Sequence, residues 1–154
     1  MSIEDDIALL EDVPSFRPLG REALRVLAIG AETKPVAEGE VLFREGELAD
    51  AGYVVENGSF ALSRTAKNKA PAIAGPGSLF GEAALLTETK RPVTATAREP
   101  SSVIRISRPL FLKMLQGYPE TAERMRELML ARVERLAAEI EAVRDVLGTQ
   151  NQGC

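Results

Sequence analysis

Between residues 31 and 107 the chain consists of short apolar runs separated by glycines and prolines. Runs of this length are too short for helices and are typical of strands in an antiparallel sandwich or barrel. The strongest turn signal is Asn57-Gly58, which predicts a hairpin because both residues tolerate a positive φ. We expect strands near 31–36, 41–43, 51–57, 59–64, 70–74, 93–98 and 102–107.

Helical patterns flank this β region on both sides. Apolar residues between 3 and 29 recur at close to helical spacing, with a break at Pro14 to Pro18. After the β region, a short helix over 109–116 is expected to end at Gly117. Pro119 suits the first turn of a longer helix that follows.

Together these patterns predict a mainly β fold with flanking helices. The expected architecture is an antiparallel, jelly-roll-like β-roll with N-terminal helices and two C-terminal helices, the last of them long. One domain is the default for 154 residues of which 45% are hydrophobic. The expected parts are N-terminal helices over 1–30, the β-roll over 31–107, C-terminal helices over 108–147, one domain over 1–147 and a polar tail over 148–154.

The charged residues and the rarer side chains narrow the function. With 19 basic and 23 acidic residues the net charge is −4, which provides no basic surface for nucleic acid or membrane. The chain has no histidine and its one cysteine is Cys154, so neither a metal site nor a disulfide is expected. No signal peptide is recognisable, and no apolar run approaches the roughly 18 residues of a membrane span. We expect a cytoplasmic protein with no nucleic-acid or membrane partner, no cofactor and no catalytic residues.

An alanine-rich, helix-friendly stretch after Phe80 interrupts the β pattern, and we expect the functional site there. Gly81 permits a close approach of the backbone to a ligand, and the amides of the short helix after it suit an anion. Arg91 contributes a planar, permanently charged fork that suits phosphate. A negative side chain at Glu82, beside a predicted anion site, is explained if its carboxylate accepts a hydrogen bond from a sugar hydroxyl. The alternatives are that Arg91 and Lys90 form a solvated basic pair and that Glu82 only complements a helix dipole.

This segment resembles the phosphate-binding cassette of the cyclic-nucleotide-binding domain family. The family pattern is Phe-Gly-Glu, a small apolar run, and then an arginine followed by small residues that enter a strand. The matching residues here are Phe80-Gly81-Glu82, Ala83 to Leu86, and Arg91 followed by Val93-Thr94-Ala95, within a cassette over 77–95. Three earlier stretches are similar to the family's entry into the β-roll: Gly39 to Glu47, Tyr53-Val54-Val55 and Gly58-Ser59. With the helices in family order, the resemblance covers 1–147.

The resemblance implies a role for each cassette residue. Glu82 would hold the ribose 2′-hydroxyl and Arg91 an exocyclic phosphate oxygen, with backbone amides around Gly81 to Ala84 also on the phosphate. The base would lie against the β-roll and be covered by the last helix. The expected ligand-binding residues are Phe80, Gly81, Glu82, Ala83, Ala84, Arg91, Pro92, Val93, Thr94, Leu62 and Ala74.

Pro92 departs from the family pattern, which places Ser, Thr or Ala directly after the arginine. Proline has no N–H for a phosphate. A lost hydrogen bond to a charged group is worth roughly 1.5–3 kcal/mol, which weakens binding about tenfold or more. The hydroxyl that favours cGMP in family members is also missing, and Thr94 is the nearest substitute. We therefore expect cAMP rather than cGMP as the ligand, bound less tightly because of Pro92.

Three classes of function compete. A transcription factor of this family would need a helix-turn-helix, for which the tail 148–154 is too short, and an enzyme would need catalytic or metal-binding groups that the sequence lacks. We expect a regulatory module that responds to cyclic nucleotide by repositioning its C-terminal helices and acts on an effector that the sequence does not identify. The alternative is a degenerate domain that serves for dimerisation or as a DNA-independent relative of transcription regulators.

The last helix carries a heptad pattern that predicts a homodimer through 118–147. β-Branched residues at a with Leu at d favour parallel two-stranded coiled coils. The alternative is that the same stripe packs on the chain's own β-core, and Arg126 at an a position weakens the pattern. The apolar positions are Met129, Leu136 and Val143 at d, and Val133, Ile140 and Leu147 at a.

Overall fold

A computed structural model describes residues 2–65, 71–128 and 130–131 of the chain. The N-terminal helices α1 (Ile3–Glu11) and α2 (Arg21–Gly30) are separated by a 3-10 turn at Pro14–Phe16, where the prolines predict a break. Helix α1 begins with a capping box. The hydroxyl of Ser2 accepts a hydrogen bond from the amide of Asp5, and the Asp5 carboxylate accepts one from the amide of Ser2.

The β region is an antiparallel roll, as predicted. Its strands are β1 (Glu32–Val36), β2 (Val41–Phe43), β3 (Leu48–Ala49), β4 (Ala51–Asn57), β5 (Phe60–Ser63), β6 (Ala72–Ala74), β7 (Leu79–Phe80), β8 (Thr89–Lys90), β9 (Thr94–Ala97) and β10 (Ser101–Ser107). One sheet has the order β1-β10-β4-β7 and the other β2-β9-β5-β6, while β3 pairs with β8.

Two helical segments follow the roll. Helix α3 (Arg108–Gly117) ends at the predicted glycine, and residues 119–128 are helical again, starting at Pro119. No helix in the described part of the chain is both long and apolar enough to cross a membrane. The predicted continuation to Leu147, all six apolar heptad positions and the tail lie outside the described residues. The homodimer and the single domain over 1–147 therefore stay predictions.

The hairpin predicted at Asn57-Gly58 is wrong, although a turn is present there. Gly58 has a φ of +85°, and a side chain at this position would collide with Ser101. Strands β4 and β5, which the turn connects, belong to different sheets, so the turn carries the chain from one sheet to the other. A tolerance of positive φ identifies the turn but does not determine which strands pair.

Three strands of two residues each, β3, β7 and β8, are absent from the sequence prediction because two residues are too few to show an alternating pattern. They are nevertheless the elements that hold the cassette. Strand β7 leads into it and pairs with β4, while β8 precedes Arg91 and pairs with β3. Between them the alanine-rich stretch forms a short 3-10 helix, Glu82–Leu85.

Strand β4 separates two hydrophobic clusters, because alternate side chains of a strand lie on opposite faces of the sheet. Val54 faces a cluster shared with the helices, whereas Tyr53 and Val55 face the interior of the β-roll. Tyr53 and Phe60 both belong to the core, with exposures of 6% and 0%. The helical cluster includes Ile7, Leu10, Leu24, Leu27, Ile104, Ile106, Phe111 and Met114.

Two acidic side chains, Asp6 of α1 and Glu56 of β4, lie close together where α1 packs on the sheet. Burial raises the pKa of Asp6, and the negative charge of Glu56 on β4, which shares a hydrogen bond with it, adds to the increase. Glu56 is 9% exposed and also accepts a hydrogen bond from the hydroxyl of Ser102 at 2.9 Å. The pKa of Asp6 is higher in the folded than in the unfolded protein. The free energy of unfolding therefore falls as the pH rises from the unfolded to the folded pKa, and the charged form of Asp6 opposes folding at neutral pH.

Replacing Asp6 by Asn should therefore stabilise the protein at pH 7, raising Tm by about 1–3 °C. The gain in Tm should shrink as the pH falls below the folded pKa of Asp6, since the protonated Asp6 of the parent is then as neutral as the Asn of the variant. Thermal unfolding followed by circular dichroism between pH 4 and 7 measures it. The matched control is Asp5→Asn, which removes a charge from the same helix at its cap and should lower Tm. A Tm difference between Asp6→Asn and the parent that does not depend on pH would contradict the assignment.

Candidate functional site

The chain turns sharply after β7 at Gly81. This glycine has φ 83° and ψ 28°, which is the left-handed region, and it begins the 3-10 helix Glu82–Leu85. A Cβ here would lie 2.5 Å from Nη1 of Arg91 and 3.0 Å from the carbonyl oxygen of Ala51. Both the conformation and the space therefore require glycine. The group that approaches Gly81 in this structure is the guanidinium of Arg91, and the close approach of a ligand stays a prediction.

Arg91 is buried, with an exposure of 4%, whereas its neighbour Lys90 is exposed. The backbone is held on both sides, because the amide of Arg91 donates to the carbonyl of Glu47 at 2.8 Å and its carbonyl accepts from the amide of Gly46 at 2.9 Å. The side chain points into the β-roll. The interpretation of Arg91 as half of a solvated basic pair is therefore wrong, while it holds for Lys90.

The guanidinium of Arg91 lies on aromatic rings. Its Cζ is 4.4 Å from the ring centre of Phe43 and 5.4 Å from that of Tyr53, both within cation–π range. These two rings are stacked at 5.8 Å, and Phe80 packs edge-on against Phe43 at 5.7 Å. The three rings form an apolar floor for the planar cation, and no carboxylate of the described residues forms an ion pair with it.

The charge of Arg91 is incompletely compensated. Its Nη1 is buried and donates to no acceptor within the described residues. Burial lowers the pKa of Arg91, and the nearby charge of Arg105 acts in the same direction, while Tyr53, Asp50 and Glu47 oppose the shift. A guanidinium remains protonated in proteins even so. The site therefore presents a buried cation with an unused donor, an arrangement that an anion would stabilise.

A cavity of about 200 Å³ opens beside Gly81 and Arg91. It gathers six of the predicted site residues, which are Gly81, Glu82, Ala83, Ala84, Arg91 and Pro92. The remaining lining residues are Ala49, Thr89 and Lys90, from the ribbon formed by β3 and β8. Thr89 and Lys90 lie within the cassette predicted over 77–95 but are not among the predicted binding residues. Ala49 was missed because nothing in the sequence indicates that β3 pairs with β8.

Glu82 lies at the start of the 3-10 helix, where its carboxylate also complements the helix dipole, so that alternative is compatible with the structure. The carboxylate accepts a hydrogen bond from the hydroxyl of Ser15 in the N-terminal 3-10 turn. Ser15 lies 67 positions earlier in the chain, and no sequence signal connects the two residues. The predicted acceptor role of Glu82 is therefore chemically available, and one of its partners in this structure is a hydroxyl.

The other five predicted residues lie outside the cavity lining. Phe80 and Ala74 are buried in the β-roll cluster, and Leu62 and Val93 pack against that cluster. The hydroxyl of Thr94 accepts a hydrogen bond from the amide of Glu45 at 2.9 Å, which closes the turn after β2. Phe80 thus acts through the aromatic floor. The contacts of Leu62 and Ala74 with a base stay a prediction.

Comparisons with known proteins show the family to which the chain belongs. The family model of the cyclic nucleotide-binding domain matches residues 33–118, more than half of the chain. The chain therefore belongs to the cyclic nucleotide-binding domain family. It is 28% identical over 131 residues to the Cyclic AMP receptor protein of Thermus thermophilus, covering 83% of this chain and 61% of that protein.

Solved structures resemble it as well. A Cyclic nucleotide-binding-like protein from Brucella abortus is 38% identical, with a TM-score of 0.65 over 73% of this chain and 98% of that chain. The N-terminal domain of a transcriptional regulator from Streptomyces coelicolor is 27% identical, with a TM-score of 0.75 over 86% of this chain and 94% of that one. The β-roll with N-terminal and C-terminal helices is confirmed. The chain spans 61% of the Thermus relative, which is longer.

Removing the charge of Arg91 should not destabilise the ligand-free protein. Arg91→Met replaces a buried, incompletely compensated cation by an apolar side chain that can pack on Phe43 and Tyr53. We expect Tm to stay unchanged or to rise by up to about 3 °C. Thermal unfolding without ligand measures it, with the exposed Arg98→Met as the matched control. A fall of Tm well beyond that of the control would show that the guanidinium is a structural element rather than a ligand-binding one.

Proposed function

We propose that this chain binds a cyclic nucleotide, cAMP, in the cavity between Gly81 and Pro92 and acts as a regulatory module. The observation that carries the proposal is the buried Nη1 of Arg91, which donates to no acceptor in the described residues and lies beside a glycine turn. A phosphodiester oxygen is an acceptor of the required charge. It would gain a charge-assisted hydrogen bond in surroundings where few waters compete.

Glu82 is proposed to receive the ribose hydroxyl. An ionised carboxylate offers about four acceptor positions, so a ribose can donate to it while the hydroxyl of Ser15 also donates. Two of the charged residues that line the cavity would then bind the two halves of a nucleotide, with Arg91 on the phosphate and Glu82 on the sugar. Both functions are binding, and the proposal assigns no catalytic step to the chain.

The choice of cAMP over cGMP depends on the residues after Arg91. Pro92 lines the cavity and has no hydroxyl, and the hydroxyl of Thr94 is engaged with the amide of Glu45. By the resemblance to the family, a hydroxyl directly after the arginine would favour cGMP. The name of the Thermus relative, Cyclic AMP receptor protein, supports the same choice.

The response to ligand is proposed to pass to the C-terminal helices. Helix α3 packs against the sheet through Phe111, Met114 and Leu115, and its first residue contacts the 3-10 helix of the cassette. A ligand can shift the position of these helices only by its different affinity for the two arrangements. The proposed partners are a second copy of the chain through 118–147 and a separate effector protein, and the proposed location is the cytoplasm.

A second function is favoured by Pro92. Because this residue lines the cavity without an N–H, the anion loses one donor that family members would provide. If the remaining donors do not hold a nucleotide, the chain would keep the fold and serve for dimerisation without ligand. The titration below separates the two functions.

Titration calorimetry of the protein should show saturable binding of cAMP at micromolar concentration or tighter, with weaker binding of cGMP and AMP. Arg91→Met should weaken cAMP binding by roughly 100-fold, since it removes charge-assisted hydrogen bonds. The matched control is Lys90→Met, which removes an exposed cation from the same cavity and should cost less than about fivefold. Binding that is equally tight in Arg91→Met would refute the site, and no binding of any cyclic nucleotide by the parent would favour the dimerisation function.

Replacing Pro92 should strengthen binding. Pro92→Ala restores the amide, and Pro92→Ser restores the amide together with a hydroxyl. We expect Pro92→Ala to bind cAMP about tenfold more tightly, because one hydrogen bond to a charged group is regained. Comparison of cAMP with cGMP in Pro92→Ser then isolates the contribution of the hydroxyl. Unchanged affinity in both variants would mean that the amide at this position does not face the ligand.

A further inference from the structure

A second arginine forms hydrogen bonds with two residues that line the cavity. Arg108 is the first residue of α3, and its side chain contacts the cassette at Ala84. Its Nε donates to the carbonyl of Ala84 at 2.8 Å, and its Nη2 donates to the carbonyl of Ala49. Its backbone amide donates to the carbonyl of Asp50 at 2.9 Å. Ala84 and Ala49 both line the cavity, one from the 3-10 helix and one from β3.

The geometry of this contact is unusually restrictive. A guanidinium is planar and its N–H groups have fixed spacing, so two carbonyls bonded to one fork cannot change their separation freely. Ala84 and Ala49 stand on different walls of the cavity. Arg108 therefore sets the distance between these walls. Its positive charge also lies near the carbonyl end of the 3-10 helix, where a cation is favourable.

Arg108 is itself firmly placed at the beginning of α3. The preceding Ser107 caps the helix, because its hydroxyl accepts from the amide of Leu110 at 3.3 Å, and Pro109 favours the first turn. A shift of α3 would therefore move the fork, and a change in the spacing of the walls would pull on α3. No other described side chain has hydrogen bonds that connect α3 to both walls.

We propose that Arg108 is a positioning residue, which holds the two walls of the cavity at the spacing that the phosphate requires and couples that spacing to α3. The ligand in this statement rests on the proposed function. The hydrogen bonds from Arg108 to the two walls do not depend on that function, so the positioning role and the ligand can be tested separately.

Arg105 offers the matched comparison. It lies three residues earlier on β10 and its Nη2 bonds to the carboxylate of Asp50 at 3.0 Å, in a pair whose acidic member is 72% exposed. It carries the same charge in the same region, and its side-chain hydrogen bond goes to Asp50 rather than to the carbonyl of Ala84 or Ala49. Arg105→Gln therefore reproduces the loss of charge in Arg108→Gln without the loss of the fork. Arg108→Lys keeps the charge and can reach one carbonyl at a time.

The experiment combines hydrogen–deuterium exchange of the ligand-free protein with titration of cAMP. In Arg108→Gln and Arg108→Lys we expect faster exchange in the segment 81–87, whose amides at Ala84, Leu86 and Thr87 bond back to Gly81 and Ala83. Binding of cAMP should weaken about tenfold or more in both variants and stay close to the parent in Arg105→Gln. Ligand should also slow exchange in 108–117 of the parent but not of the Arg108 variants.

The outcomes separate the proposals. Parent-like exchange in 81–87 together with parent-like affinity in the Arg108 variants would overturn the positioning role. If Arg108→Gln does not fold, Arg108→Lys decides by the same two measurements. If the parent binds no cyclic nucleotide, the proposed function fails, and the exchange of 81–87 in ligand-free protein still decides whether Arg108 holds the walls. A loss of affinity in Arg105→Gln equal to that in Arg108→Lys would reduce the effect to local charge and also overturn the role.

Discussion

The burial of Arg91 on aromatic rings is the interaction on which the rest of the site depends. A cation can be buried without a carboxylate partner only where something else offsets its lost hydration, and the faces of Phe43 and Tyr53 do this in part. The same contact requires that nothing extend from residue 81, because a side chain there would meet the guanidinium. The left-handed turn at Gly81 and the aromatic floor therefore both accommodate the same buried charge.

The two arginines act on the same short 3-10 helix in opposite ways. Arg108 donates from Nε and Nη2 to carbonyls of the two walls, so these donors are used by the protein itself and hold its geometry. Arg91 rests on rings, which satisfy charge but accept no conventional hydrogen bond, so a donor stays available to a ligand. Identical side chains thus take different roles because one faces backbone oxygens and the other faces aromatic faces.

The sequence predicts the elements of this fold better than their pairing. The flanking helices, the seven longer strands and the turn at Gly58 follow from local periodicity and turn chemistry. The pairing of β4 with β10 and β7 rather than with β5 does not, since it depends on contacts far apart in the chain. The same division holds for the site. Gly81, Glu82 and Arg91 are recognisable at their spacing. Ala49 joins the cavity lining, and Ser15 and Arg108 contact lining residues, only through the folded topology, and no local pattern marks them.

The incomplete compensation of Arg91 gives a physical reason why a ligand should matter to this domain. The folded, ligand-free protein carries the cost of a desolvated cation, and an anion bound to the guanidinium would relieve it. Ligand would then stabilise the folded state in proportion to the logarithm of its concentration. That stabilisation becomes a signal only if the relieved arrangement also favours one position of α3. Because Arg108 joins both walls of the cavity to the first turn of α3, relaxation of the walls cannot occur independently of the helix, and this connection is what would turn an anion site into a regulatory one.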